Sequence, residues 1–145
     1  MELTQRVVTD AESFEAFKAL LKSTGLPTDD LRLGKHVMVC YYDDETLVGT
    51  GGLEIYGDYA LIRSISVKMG ARGLSLGSFI ISDLLDQARE KKLKAIYLLT
   101  ESAHGFFLKK GFKDISRENV PDVVRGSSEF SNVCSPSAAC MFYAF

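Results

Sequence analysis

The feature that most constrains this chain is a strand-loop-helix-strand run over residues 60–100. Residues 60–67 (Ala-Leu-Ile-Arg-Ser-Ile-Ser-Val) are β-rich, and the loop that follows carries Arg72, Gly73 and Gly77. Residues 75–91 then place Leu76, Ile80, Leu84 and Ala88 on one stripe with Ile81 and Leu85 beside it, which predicts a helix with an apolar face wide enough to lie on a sheet. Residues 94–100 read as a central strand. A strand, a crossover helix and a second strand demand a mixed α/β architecture. The loop itself has the makings of an anion site. Helix N-terminal N–H groups lack intrahelical partners and sit at the positive end of the dipole. Glycine lets backbone approach a phosphate, and arginine adds a planar charged fork. The alternative is a helix-capping loop with no ligand, Ser75 serving as the cap.

The remaining chain fits one domain over residues 1–145, long enough for a core without metal or disulfide support. A net charge of −2 argues against nucleic-acid or polybasic membrane partners. No apolar run reaches the ~18 residues of a membrane span, and Met1-Glu-Leu-Thr does not read as a signal peptide. Three cysteines (Cys40, Cys134, Cys140) lack metal-ligand spacing, and the two histidines lie far apart, so no metal is expected. These features predict a cytoplasmic protein with reduced thiols, a monomer or a homodimer.

Residues 3–9 read as a short strand, and Asp10 caps a helix over 11–23 with Gly25 past its end. Pro27 in a first turn predicts a second short helix over 27–31. Strands follow at 36–42, 47–56 and 59–67, the last two joined by a Gly57-Asp58 hairpin turn. A short helix over 102–110 stops at Gly111, a strand begins at Phe112, and residues 140–145 form the last strand. The long connection before it holds Arg125, Ser127, Ser128, Phe130, Cys134 and Ser137. It either covers an acceptor pocket or merely closes the sheet end.

The hairpin makes a geometric prediction. With Gly57-Asp58 as its turn, Tyr56 pairs with Tyr59, Glu54 with Leu61 and Gly52 with Arg63, so Glu54 and Arg63 share one face on a diagonal. Simple alternation adds Leu61, Ile65 and Val67 to that face. A charged pair among apolar residues is either a structural ion pair or a substrate site. In the second case Arg63 holds a carboxylate, and Glu54 receives an ammonium or its proton.

The order of elements, with Arg72-Gly73-Leu74-Ser75-Leu76-Gly77 in the loop and Gly111-Phe112 after the short helix, resembles the GNAT acetyltransferase superfamily over nearly the whole chain. Ser75 stands where that family's motif carries a middle glycine. The resemblance implies a mixed, splayed, mostly antiparallel sheet with helices on both faces. It implies that residues 72–78 (Arg72, Gly73, Leu74, Ser75, Leu76, Gly77, Ser78) hold the pyrophosphate of acetyl-CoA, with Phe107 and Lys110 also on the cofactor side. It further implies that Ser64, Ile65, Ser66 and Val67 pair with the pantetheine arm, a backbone N–H there serving the oxyanion. The usual acid, a tyrosine four residues before the Gly-Phe pair, is replaced by Phe107, leaving Ser64, Tyr97, His104 or water as substitutes.

Gly-Leu-Glu-x-x-Gly at 52–57, Leu61-x-Arg63-Ser64 and the tail Cys134-Ser-Pro-Ser-Ala138 are similar to a subgroup often linked to arsenic-resistance operons, and to N-acetylglutamate synthase-type enzymes. The expected reaction is acetyl transfer from acetyl-CoA to a small, amino-acid-like primary amine by direct attack. Glu54 and Ser64 are the catalytic candidates, and Glu54, Arg63, Arg125 and Phe130 the acceptor-binding ones. The rival reading is a non-catalytic CoA-binding sensor or regulatory module.

Overall fold

The computed structural model describes residues 3–34, 36–70, 75–127, 130 and 137–145. Strands β1 (Leu3–Val7), β2 (Val37–Asp43), β3 (Thr46–Tyr56), β4 (Tyr59–Val67), β5 (Ala95–Thr100), β6 (Lys113–Asp114) and β7 (Ala139–Ala144) form one sheet in the order β1-β2-β3-β4-β5-β7-β6. Every neighbouring pair is antiparallel except β4 and β5, which run parallel. The helices are α1 (Ala11–Ser23), α2 (Leu76–Glu90), α3 (His104–Lys109) and α4 (Asp122–Arg125), with a 3-10 turn at Arg117–Asn119.

Helices cover both faces. On one face, Ile80, Ile81, Leu84 and Ala88 of α2 and Phe107 of α3 pack on Val39, Leu53, Ile62 and Ile96. On the other face, Phe17 and Leu21 of α1 cover Met38 and Cys40 of β2, while Val124 of α4 covers Leu61, Tyr97 and Leu99. Asp10 caps α1 as expected, its carboxylate accepting from Ser13 N–H at 2.8 Å.

Two expectations fail for clear reasons. Residues 27–31 form no helix. Asp29 and Asp30 make a turn in which Leu31 N–H donates to Thr28 C=O at 3.1 Å. Tertiary demands shape it: Leu31 is buried among Phe17, Leu21 and Met38, and Asp30 pairs with an arginine on β4. Ser75 does not cap α2 through its hydroxyl. It precedes the helix with φ +61° and ψ +22°, a left-handed conformation, and its side chain makes no capping bond. An N-cap side chain reaches the helix N–H groups from extended backbone, so this conformation loses the bond.

The sheet splits at its centre. The β4–β5 ladder joins only Tyr59, Ala60 and Leu61 to Ala95, Ile96 and Tyr97. Beyond it the two strands diverge, and the edge of β4 is left lining a cleft instead of a neighbour.

Candidate active site

The cleft begins where pairing ends. Its inner part, about 330 Å³, is bounded by Ile62, Arg63, Ser64 and Ile65 of β4, by Leu98 to Thr100 of β5, and by Leu26, Phe106 and Phe107. Its outer part, about 630 Å³, runs past Ser66 and Val67 to Ser75, Leu76, Gly77 and Ser78 at the start of α2, with Thr24, Ser102 and Phe106 on its walls. The inner slot is mostly hydrocarbon. The outer part ends at a helix N-terminus, where backbone N–H groups face anions.

Register explains why β4 turns its backbone to the cleft. Gly52 faces Arg63 and Thr50 faces Ser66, so Gly51 alone stands opposite Ser64 and Ile65. That is a β-bulge, and its first residue, Ser64, lies in the left-handed region with φ +60°. Thr50 Oγ1 donates to Ser64 C=O at 2.8 Å and pins the distortion. A non-glycine residue held there costs of order 1–2 kcal/mol, and such strain concentrates where backbone is aimed at a ligand.

The bulge also reverses the alternation expected for β4. Leu61 and Arg63 stay on the α1/α4 face, but Ile65 and Val67 pack with the α2 core on the opposite face. The expectation that Ile65 and Val67 share a face with Glu54 is therefore wrong, because one extra residue flips every side chain after it. Ser66 now faces α1, its hydroxyl 3.1 Å from Thr24 Oγ1.

Upstream of the bulge the pairing follows expectation: Tyr56 with Tyr59, Glu54 with Leu61, Gly52 with Arg63. Glu54 and Arg63 are 3 % and 5 % exposed, with Oε1 3.4 Å from Nη1. Three more residues complete the cluster, two of them from the α1–β2 connection. Asp30 accepts from both terminal guanidinium nitrogens, with Oδ2 on Nη1 and Oδ1 3.0 Å from Nη2. His36 Nδ1 lies 3.2 Å from Glu54 Oε2. Tyr56 donates its hydroxyl to the same Oε2 at 3.2 Å. Burial, then the Glu54 charge and hydrogen bond, push the Tyr56 phenol up to about 12, against the opposing pull of Arg63 and a hydrogen bond from Ser127. Asp30 and His36 are the members that sequence reasoning missed. Neither has a local signal, since only the folded α1–β2 connection brings them to β3 and β4.

Phe107 is buried in the α2 core and edges the inner slot, where it brings a ring and no proton. Lys110 Nζ lies 5.7 Å from the Phe106 ring centre. His104 pairs with Asp114 at 2.7 Å, and both are exposed. Tyr97 is packed between Tyr59 and Phe142, and burial raises its phenol. Arg125 pairs with Asp122 on the exposed side of α4, away from the charged cluster. Phe130 is half-buried against the Leu61–Tyr97 core and takes Ser127 Oγ as acceptor for its N–H at 3.4 Å. Arg72, Gly73, Leu74, Ser128 and Cys134 lie outside the described residues. Among the described residues no three His, Cys, Asp or Glu side chains form a metal-binding group. Among the described residues no helix is long and apolar enough to cross a membrane.

A split sheet, a left-handed bulge on its inner strand and a helix N-terminus at the cleft mouth form a set whose sequence can be compared directly. Residues 6–112 match the family model described as the acetyltransferase (GNAT) family. The chain belongs to this family of acetyltransferases. A relative in sequence, the uncharacterized protein YyaT of Bacillus subtilis (strain 168), is 28% identical over 121 residues, covering 83% of this chain and 74% of that protein. Among solved GNAT-fold structures, Rv2747 from Mycobacterium tuberculosis in complex with CoA and NLQ superposes with a TM-score of 0.78 at 20% identity, covering 98% of this chain and 99% of that one. N-acetylglutamate synthase from Neisseria gonorrhoeae complexed with coenzyme A and L-arginine gives 0.80 at 16% identity over 99% of this chain. This chain spans only 33% of that enzyme's length. At such identities the likeness to solved structures is one of fold.

Proposed function

We propose that this GNAT domain transfers the acetyl group of acetyl-CoA to a small primary amine, without an acyl-enzyme. The observation that carries the reading is the Ser64–Ile65 bulge on the cleft edge of β4. A backbone N–H beside a thioester carbonyl stabilises the oxyanion of a tetrahedral intermediate whatever the side chain. The pantetheine arm occupies the hydrocarbon-lined inner slot, and the pyrophosphate lies at Ser75, Leu76, Gly77 and Ser78 at the start of α2. The amine nitrogen attacks the thioester carbon, the C–S bond breaks, and CoA leaves as its thiolate. Attack needs the amine's lone pair, so its proton must first leave, and Glu54 is the buried carboxylate beside Ser64's neighbour Arg63.

The acceptor is amino-acid-like in this reading. Its ammonium meets Glu54, and its carboxylate takes the place that Asp30 now holds on Arg63. Asp30 sits on a turn with its side chain 21% exposed, so water can take up its carboxylate when a substrate carboxylate replaces it on Arg63. Asp30→Asn should tighten binding of amino-acid acceptors relative to simple amines. Equal effects on both would make the Asp30–Arg63 pair purely structural. The reaction is tested by thiol release from acetyl-CoA with a panel of amines. Amine-dependent release is the expected result, and tight CoA binding without it would refute transfer. Phe107 favours that second outcome, a CoA-binding sensor, because it removes a proton donor from the slot.

A further inference from the structure

We infer that His36 is the proton sink for the acceptor amine, receiving its proton by way of the Glu54 carboxylate. This rests on the acetyl-transfer reading above. A primary ammonium has no lone pair, and with an ordinary amine pKa near 10.4 only about one molecule in 10³ is free base at neutral pH. A site that removes the proton therefore gains rate directly.

His36 contacts Glu54, and the cluster around Glu54 holds Tyr56 of β3, Arg63 of β4 and, on Arg63, Asp30 from the α1–β2 connection, with Ser127 beside Tyr56. Arg63 holds its proton at any working pH. Tyr56, pushed up to about 12, also holds its proton and donates it to Glu54 Oε2. Asp30 is engaged by both terminal nitrogens of the Arg63 guanidinium. Of these groups, imidazole is the type that takes up a proton near neutrality, and His36 Nδ1 lies 3.2 Å from Glu54 Oε2.

Charge counting allows the transfer. With neutral imidazole the cluster carries two carboxylates and one guanidinium, a net charge of −1 in a buried place. An incoming ammonium is +1. When its proton moves through Glu54 to His36, the amine becomes neutral and the imidazolium takes its place as the charge that balances the cluster, so the site stays neutral in total while the amine gains its lone pair. The free amine then attacks, and His36, with its side chain 8% exposed, returns the proton to water. Glu54 meets the substrate, and His36 is a positioning residue that acts through it.

The test measures kcat and KM against pH for the wild type and His36→Gln, with acetyl-CoA and an amine that the wild type acetylates. Glutamine keeps an N–H for Glu54 but takes no proton. At pH 7 kcat should fall by about 10²-fold with KM for acetyl-CoA unchanged, and the deficit should shrink as pH approaches the amine's own pKa. Added imidazole should partly restore His36→Gly. A second measurement needs no variant: in the wild type with CoA bound, saturating cationic amine should move the His36 NMR titration midpoint downward, because a second cation opposes the imidazolium. Turnover by the wild type with an unaltered His36→Gln profile, or an unmoved midpoint, would overturn the role of His36 and leave acetyl transfer standing. A wild type that turns over no amine overturns transfer, and this role with it.

Discussion

Cys40 and Cys140 look alike in sequence to any thiol that reacts or binds metal, and burial separates them from such thiols. Both are buried and free, Cys40 on the α1 face of β2 and Cys140 in the Leu61–Tyr97 core. Desolvation pushes the Cys40 thiol up to about 11, against a hydrogen bond with Tyr42, and raises Cys140 as well. In a Cys134→Ser background, a thiol-exchange reagent at pH 8 should therefore label neither residue until denaturant is added. Rapid native labelling would contradict this. The sign of the linkage is equally definite. Cys40 keeps its proton in the folded state and loses it near 9 when unfolded, so its contribution to stability is whole below pH 9 and fades as pH rises towards 11. Arg63 and Glu54 show the limit of residue-level reading. Their shared face follows from the length of the hairpin turn and period-two alternation. Their partners Asp30 and His36 come from a connection with no repeating pattern, and nothing local to β3 or β4 announces them.

At the scale of elements, α2 lies on the sheet through Gly49-Thr-Gly-Gly52. A Cβ at Gly49 would stand 2.8 Å from Ile80 Cδ1 and 3.1 Å from Ser66 C=O; one at Gly51 would stand 2.9 Å from Ile80 Cγ2 and 3.1 Å from Leu84 Cδ1. The glycines are therefore the floor on which the helix sits, and the cleft mouth depends on that closeness because α2 begins there. Gly49→Ala and Gly51→Ala should each lower unfolding free energy by about 1–3 kcal/mol in urea melts. The double variant should cost less than the sum, since both press on Ile80. Full additivity would mean the helix does not shift as a unit. Element boundaries were largely legible: capping at Asp10, the hairpin turn at Gly57-Asp58 and the stop at Gly111 (φ +96°) each rest on local chemistry. The failed helix at 27–31 had only Pro27 and one apolar residue behind it, too little to resist the pull of Leu31 into the core and of Asp30 to Arg63.

For the whole molecule, a cleft that splits the sheet implies that a ligand spanning it ties the two halves together. Acetyl-CoA at a hundred times its Kd should add about 2.7 kcal/mol of stability. For a domain of this size that raises Tm by roughly 5–10 °C. Differential scanning fluorimetry reads this directly, and no shift at saturating acetyl-CoA would argue against the cleft as its site. Arg72→Ala should shrink the shift and raise the KM for acetyl-CoA. By itself the sequence determined the class of fold, the order of its elements, the Tyr56–Tyr59 register and the glycine-rich loop that opens α2. All of these rest on periodicity, turn chemistry and capping, which act over a few residues. Only the tertiary structure decided where β4 leaves β5, where the bulge falls and hence which face Ile65 and Val67 take. It alone brought Asp30 and His36 to Glu54 and Arg63. Those outcomes depend on packing α1 and α2 on opposite faces and on satisfying buried charge, and such long-range constraints leave no pattern along the chain.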